Sequence, residues 1–224
     1  MPRLDALQVR VLELLAEVQP PWILFGGGAL LAAYAEHRTT RDIDLLWPAR
    51  ENLGELPWAI EATLRAAGLE VEILQSSPAF VRLRVTEGAN VLVVDLVSAP
   101  GTDPIDIQSV RIGSVVVRIP TRQHLLADKL CVLLSRSEVR DLQDARELLR
   151  VGADLEDALR RAGGLDGGFS PLTLAWVLRG LPVATLGPLA GLDPTACAEL
   201  DAFRLELVER LAALGAIVPT PPPS

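Results

Sequence analysis

Trp22-Ile-Leu-Phe-Gly-Gly-Gly-Ala-Leu-Leu-Ala-Ala-Tyr-Ala-Glu-His-Arg-Thr-Thr-Arg-Asp-Ile-Asp-Leu-Leu-Trp47 is the stretch on which the reading of the chain turns. Trp22 to Phe25 is an apolar run of strand length. Gly26, Gly27 and Gly28 interrupt it, and Ala29 to Ala35 is rich in helix-forming alanine and leucine. The predicted order is strand, glycine loop, helix. Backbone amides at a helix start point outward without intrahelical partners, and glycines let a ligand approach them, so the three glycines are candidates for holding phosphate oxygens. A glycine triplet also serves simply to turn a chain.

Thr40-Arg-Asp-Ile-Asp-Leu-Leu follows. Residues two apart on a strand share a face, so Asp42 and Asp44 point together while Ile43 points away. Two carboxylates held close raise each other's pKa, and divalent magnesium relieves this by taking their oxygens together with substrate phosphates. A solvated strand start with Asp42 capping a turn is the alternative. Leu45, Leu46 and Trp47 carry the strand into a core and set the carboxylates at its mouth.

The glycine stretch opening a helix, followed by Arg38-Thr-Thr-Arg-Asp-Ile-Asp-Leu45, resembles the signature of the DNA polymerase beta-like nucleotidyltransferase superfamily, and most of all its AbiEii-type toxin branch. The resemblance implies an α/β (α+β) fold with a mixed sheet followed by helices, transfer of a nucleotide from a nucleoside triphosphate, and magnesium held by Asp42 and Asp44. It departs at position 28, where many relatives carry Ser or Thr. Phosphate binding here would rest on backbone amides and cationic side chains.

Composition sets the frame. The chain has 224 residues, half of them hydrophobic, and a formal net charge of −8, which suits one large or two small globular domains. The acidity argues against a surface that grips nucleic acid everywhere, while leaving room for a local basic groove. Two cysteines, Cys131 and Cys197, indicate no disulfide framework and read as small core residues. The first residues lack a signal-peptide h-region and no window reaches membrane-span length, so the expected location is the cytoplasm, with no membrane partner. Two histidines, His37 and His124, lack neighbours at zinc-ligand spacing.

Elsewhere the predicted elements are a helix over Asp5 to Val18, a helix over Glu51 to Ala67 with Trp58, Ile60, Leu64 and Ala67 inward, and strands over Glu70–Leu74, Phe80–Val85 and Asn90–Val97. A strand pair turned at Gly113 spans Ile105 to Ile119. A helix follows from a Thr121 cap to about Ser135, and another opens with Ser137. Beyond Val151 come helices over Leu155–Ala162, Pro171–Leu178 and Pro194–Leu214, with Gly163 to Gly168 as a linker. The expected division is a nucleotidyltransferase core over 1–120, a helical region over 121–218 and a proline-rich, extended tail over 219–224.

Asp95 stands inside the apolar strand Val91-Leu-Val-Val-Asp-Leu-Val97, where a carboxylate needs a partner. Arg82 or Arg84 on the neighbouring strand can provide it as a salt bridge. The resemblance implies instead that Asp95 is a third metal carboxylate. Lys129 is the only lysine against twenty arginines, and a compact ammonium suits a phosphate contact. The family likeness assigns it to the triphosphate, makes Arg140 a phosphate or ribose contact, and lets Asp141 orient Lys129 or Arg140. The resulting expectation is a magnesium-dependent nucleotidyltransferase with Asp42, Asp44, Asp95, Lys129 and Asp141 as catalytic residues. Its expected partners are a nucleoside triphosphate, an RNA acceptor such as a tRNA 3′ end, and a protein antitoxin. Arg38, Arg41, Arg111, Arg118, Arg122 and Arg136 form a candidate basic path. Transfer to a small hydroxylated molecule such as an antibiotic, and a non-catalytic nucleotide-binding role, are the alternatives.

Overall fold

The computed structural model describes residues 4–101 and 105–217, so the expected tail over 219–224 lies outside the described residues. The chain divides into two compact units, 1–121 and 122–224.

The first unit opens with α1 (Ala6–Leu15), whose start is fixed by a reciprocal cap: the Asp5 carboxylate accepts from the Gln8 amide, and the Gln8 side chain accepts from the Asp5 amide. Then come β1 (Ile23–Phe25), α2 (Gly26–Ala33), β2 (Asp42–Pro48), α3 (Leu56–Ala66), β3 (Glu70–Ser76), β4 (Phe80–Glu87), β5 (Asn90–Ala99), β6 (Ile107–Ile112) and β7 (Val115–Pro120). Five strands form one mixed sheet in the order β1-β2-β5-β4-β3, in which only β2 and β5 run parallel; β6 and β7 make a separate antiparallel pair.

Register gives the large sheet two unlike faces. Leu24, Leu45, Leu96 and Val81 lie in one cross-strand row and Ile43, Val94 and Leu83 in another, all buried, forming the core beneath the helices. The intervening rows point the other way and are polar. Asp42, Val93, Arg84 and Glu72 make one; Phe25, Asp44, Asp95, Arg82 and Gln75 make the next. Because side chains alternate at every residue, a single register assigns the buried aliphatic rows to one face and gathers the carboxylates on the other.

Two expectations need correction in this unit. The glycines do not form a loop ahead of a helix; they are its first turn, with Phe25 at the N-cap and Gly26 at φ +59°. Trp58 does not face inward on α3. It is 65% exposed, while Ile60 and Leu64 carry the buried stripe.

The second unit is entirely helical among the described residues: α4 (Arg122–Ser135), α5 (Val139–Arg150), α6 (Leu155–Leu165), α7 (Pro171–Arg179), α8 (Val183–Leu189) and α9 (Pro194–Ile217). α4 packs on α5, α6 and α7, and α9 on α7 and α8. Gly163 and Gly164, expected in a linker, continue α6, and α8 was not foreseen. Ser137 lies between α4 and α5 at φ +50°, and the residue that precedes α5 as its N-cap is Glu138. Cys197 is buried as expected, while Cys131 is only half-buried. Among the described residues no single helix is long and apolar enough to cross a membrane.

Candidate active site

Asp42 and Asp44 begin β2, flanking buried Ile43. Asp42 is positioned through the preceding turn. The buried Gln8 side chain donates to the Thr40 carbonyl at 3.0 Å, and the Thr40 hydroxyl donates to Asp42 Oδ1. Asp44 sits against the start of α2: a Cβ added to Gly26 would lie 2.5 Å from Asp44 Oδ2. A side chain at Gly27 would meet Arg38, whose Nη2 is 2.7 Å from the Cβ position. The two half-buried glycines thus keep space for a carboxylate and a guanidinium to close on the helix N-terminus, where the amides of the first turn and the helix dipole favour anions. Gly28 has a different task, packing on Leu24 and Ile43.

Asp95 is in register with Asp44 on one side and Arg82 on the other. Its carboxylate accepts two hydrogen bonds from Arg82, Nε to Oδ1 at 2.8 Å and Nη2 to Oδ2 at 2.6 Å. The salt bridge anticipated as one explanation of Asp95 is therefore present, with Arg82 as partner; Arg84 pairs with Glu72 instead. These hydrogen bonds hold the Arg82 guanidinium above its ordinary pKa. Desolvation works against that, and the charges of Asp95, Asp42 and Asp44 add to it.

This geometry bears on whether the residues suit a divalent cation. Asp42 and Asp44 supply hard oxygen donors on one face beside a phosphate-compatible helix start, which is the donor chemistry magnesium takes. Asp95 is turned to Arg82, and among the described residues no three His, Cys, Asp or Glu side chains are gathered to hold a metal together. The pair fits the group; the third carboxylate is committed elsewhere.

The second unit holds the remaining candidates. Lys129 on α4 is buried, and its Nζ lies 2.8 Å from both Asp141 Oδ1 and Asp144 Oδ2 on α5. Asp141 also accepts from Arg136, Nε to Oδ2 at 2.8 Å. Burial pulls the Lys129 pKa down, and the charges of Asp144 and Asp141 more than offset it, leaving the ammonium above its usual value. For Asp141, burial pushes upward and Arg136 and Lys129 prevail, holding the carboxyl below the usual range. Asp141 thus orients Lys129, one of the two options expected. It does not hold Arg140, which pairs with Glu138 at 2.6 Å with its side chain half-exposed. Asp144 and Arg136 are the members that sequence reading did not assign here. The spacing of Asp141 and Asp144, three apart on one helical face, was the available signal.

Several arginines of the expected basic path are engaged locally. Arg118 donates to the Pro21 and Trp22 carbonyls, Arg122 to that of Val151, and Arg136 to Asp141.

Residues 10–177 match the family model described as "Nucleotidyl transferase AbiEii toxin, Type IV TA system". No curated protein sequence matches the chain. Among solved structures, MenT4, a nucleotidyltransferase toxin from Mycobacterium tuberculosis, aligns with a TM-score of 0.58 and 17% identity, covering 94% of this chain and 91% of its own. JHP933 from Helicobacter pylori aligns with a TM-score of 0.55 and 18% identity, over 92% and 90% respectively. The antibiotic-resistance factor ANT(2'')-Ia aligns with a TM-score of 0.52 and 18% identity, over 72% of this chain and 92% of its own. At these identities the likeness is one of fold.

Proposed function

Because the chain belongs to the AbiEii nucleotidyl transferase toxin family, and has the polymerase-beta-like nucleotidyltransferase fold, we propose that it transfers a nucleoside monophosphate from a nucleoside triphosphate to an RNA hydroxyl, with a tRNA 3′ end as acceptor. In this reading it acts in the cytoplasm as the toxin of a toxin–antitoxin pair. The observation that carries the chemistry is Asp44 seated against Gly26, with Asp42 beside it. A carboxylate pair and the open amides of a helix start meet in one place.

Asp42 and Asp44 would hold magnesium, which when bound neutralises triphosphate charge and lowers the pKa of a coordinated hydroxyl. The amides of Gly26, Gly27 and Gly28 receive phosphate oxygens, and the Arg38 guanidinium takes the place of the Ser or Thr hydroxyl that Gly28 lacks. The acceptor hydroxyl attacks the α-phosphorus in line and pyrophosphate leaves. The Lys129 ammonium, held by Asp141 and Asp144, is the cation assigned in this reading to the triphosphate. Arg140, half-exposed and paired with Glu138, is the phosphate or ribose contact in this reading.

The test is incubation of the protein, and of Asp44→Ala, with each radiolabelled triphosphate, magnesium and total tRNA, followed by a gel. Label in RNA, lost in the folded variant, is the expected result and names the base. Label that enters a small hydroxylated acceptor and never RNA overturns the acceptor assignment. Turnover retained by folded Asp44→Ala overturns the metal assignment.

A further inference from the structure

The polar face of the large sheet carries an unusual row: Asp44 on β2, Asp95 on β5 and Arg82 on β4 are direct register partners on adjacent strands. Neighbouring strands lie about 4.8 Å apart, so the three side chains stand side by side. Asp95 is nearly closed to solvent, with 6% side-chain exposure, and cannot rely on water for its charge. Arg82 is 43% exposed and reaches in from the open side. Its two parallel hydrogen bonds take one oxygen each, the arrangement that best occupies a carboxylate. The guanidinium also lies 5.6 Å from the centre of the Phe80 ring, a surface on which it can rest after releasing Asp95.

We propose that Arg82 is a built-in competitor for the divalent cation: it occupies the cation position at Asp95 and sets the affinity with which metal enters the carboxylate row. The proposal rests on Asp42 and Asp44 being the entry point for metal. In the absence of a cation, three carboxylates share one face, and the Arg82 charge keeps them compatible. A divalent ion at Asp42 and Asp44 lies one strand from Asp95, and the bidentate pair must open before Asp95 turns toward it. Arg84 does not substitute, because it faces Val93 across the strand and is paired with Glu72. The absence of a gathered three-carboxylate group among the described residues is what this arrangement produces.

The experiment is Mn2+ binding to the nucleotide-free protein, by calorimetry and by the loss of the free-ion electron paramagnetic signal. Arg82→Gln is expected to bind Mn2+ about tenfold more tightly than the wild type, since one unit charge leaves the immediate neighbourhood of the ion. Arg82→Lys, which keeps the charge but loses the fork, falls between them and serves if the glutamine variant folds poorly by circular dichroism. The decisive comparison is made in an Asp95→Asn background. There, Arg82→Gln gains less than about threefold, because the competition for Asp95 no longer exists and only the general field of the charge remains. Equal Mn2+ affinity with and without the Arg82 charge overturns the proposal. So does a gain of the same size with Asp95→Asn, which would reduce Arg82 to a general field. Failure of the underlying metal reading looks different: neither the wild type nor Arg82→Gln binds Mn2+, or Asp44→Asn leaves binding intact, and the proposal falls with it.

Discussion

Lys129 and Asp141 are joined by a 2.8 Å hydrogen bond from Nζ to Oδ1, with both side chains buried and Asp144 closing on the same ammonium. Removing the ammonium takes a buried cation away from two buried carboxylates. Lys129→Ala is therefore expected to lower unfolding stability by about 3 kcal/mol or more, read from urea denaturation. A loss under about 1 kcal/mol would mean that the cluster does not hold α4 on α5. Activity lost in this variant has to be compared with its folded fraction before a phosphate role is assigned.

Asp128 stands next to this cluster and titrates at about 6: burial raises it, the charge of Asp141 adds, and Lys129 and Arg136 oppose. A carboxyl raised above its unfolded value of 3.8 contributes stability that is complete below that value and is lost as pH rises through about 6. Asp128→Asn mimics the neutral acid at all pH values. It should be more stable than the wild type at pH 8, by on the order of 1–2 kcal/mol, with the gap closing near pH 4. Paired thermal melts across pH 4–8 check this; a gap independent of pH counts against the titration. Asp141 has the opposite sign. Its depressed pKa stabilises the fold above the ordinary carboxylate range, and that contribution disappears as pH falls through its folded value.

Gly26 and Gly27 should respond unequally to a methyl group. At Gly26 an alanine meets Asp44 Oδ2 at 2.5 Å and must adopt φ +59°, so Gly26→Ala is expected to cost about 1–2 kcal/mol. By displacing Asp44 it should also slow nucleotide transfer by about a hundredfold. At Gly27 the methyl meets only the end of the flexible Arg38 side chain, and the stability loss should stay below about 1 kcal/mol. Melting temperatures and initial rates of the two variants, measured side by side, separate these outcomes.

Two tryptophans offer a check on the packing. Trp47 is 1% exposed and its indole donates to the Pro20 carbonyl at 2.8 Å, so Trp47→Ala should cost about 3–5 kcal/mol. Trp58 stands in solvent, and Trp58→Ala should cost less than about 1 kcal/mol. Chemical denaturation that found Trp58 as sensitive as Trp47 would contradict the outward orientation of α3 at this position.

The strand, helix and strand around the glycines, and the common face of Asp42 and Asp44, were legible in the sequence because they depend on local rules: period-two alternation, helix propensity and backbone freedom. The same rules missed α8, whose Val183–Leu189 includes Gly187 and Pro188 and owes its helix to packing on α9. They also placed Trp58 inward, since a helical stripe read from sequence is wider than the face that neighbours actually cover.

Choice of partner is where local information ended. Arg82 and Arg84 lie two apart on one face of β4, equally able from sequence to meet Asp95. For Asp141 the sequence likewise left two partners open, Lys129 and Arg140. Tertiary structure decided each case. The β4–β5 register sets Arg82 opposite Asp95 and Arg84 opposite Val93, and the packing of α4 on α5 gives Asp141 to Lys129 and Arg136 while Arg140 turns to Glu138. An alternating pattern says which face a side chain occupies, but a one-to-one ion pair depends on displacement along the strand or helix. That displacement is settled only when the whole sheet or helix pair is assembled.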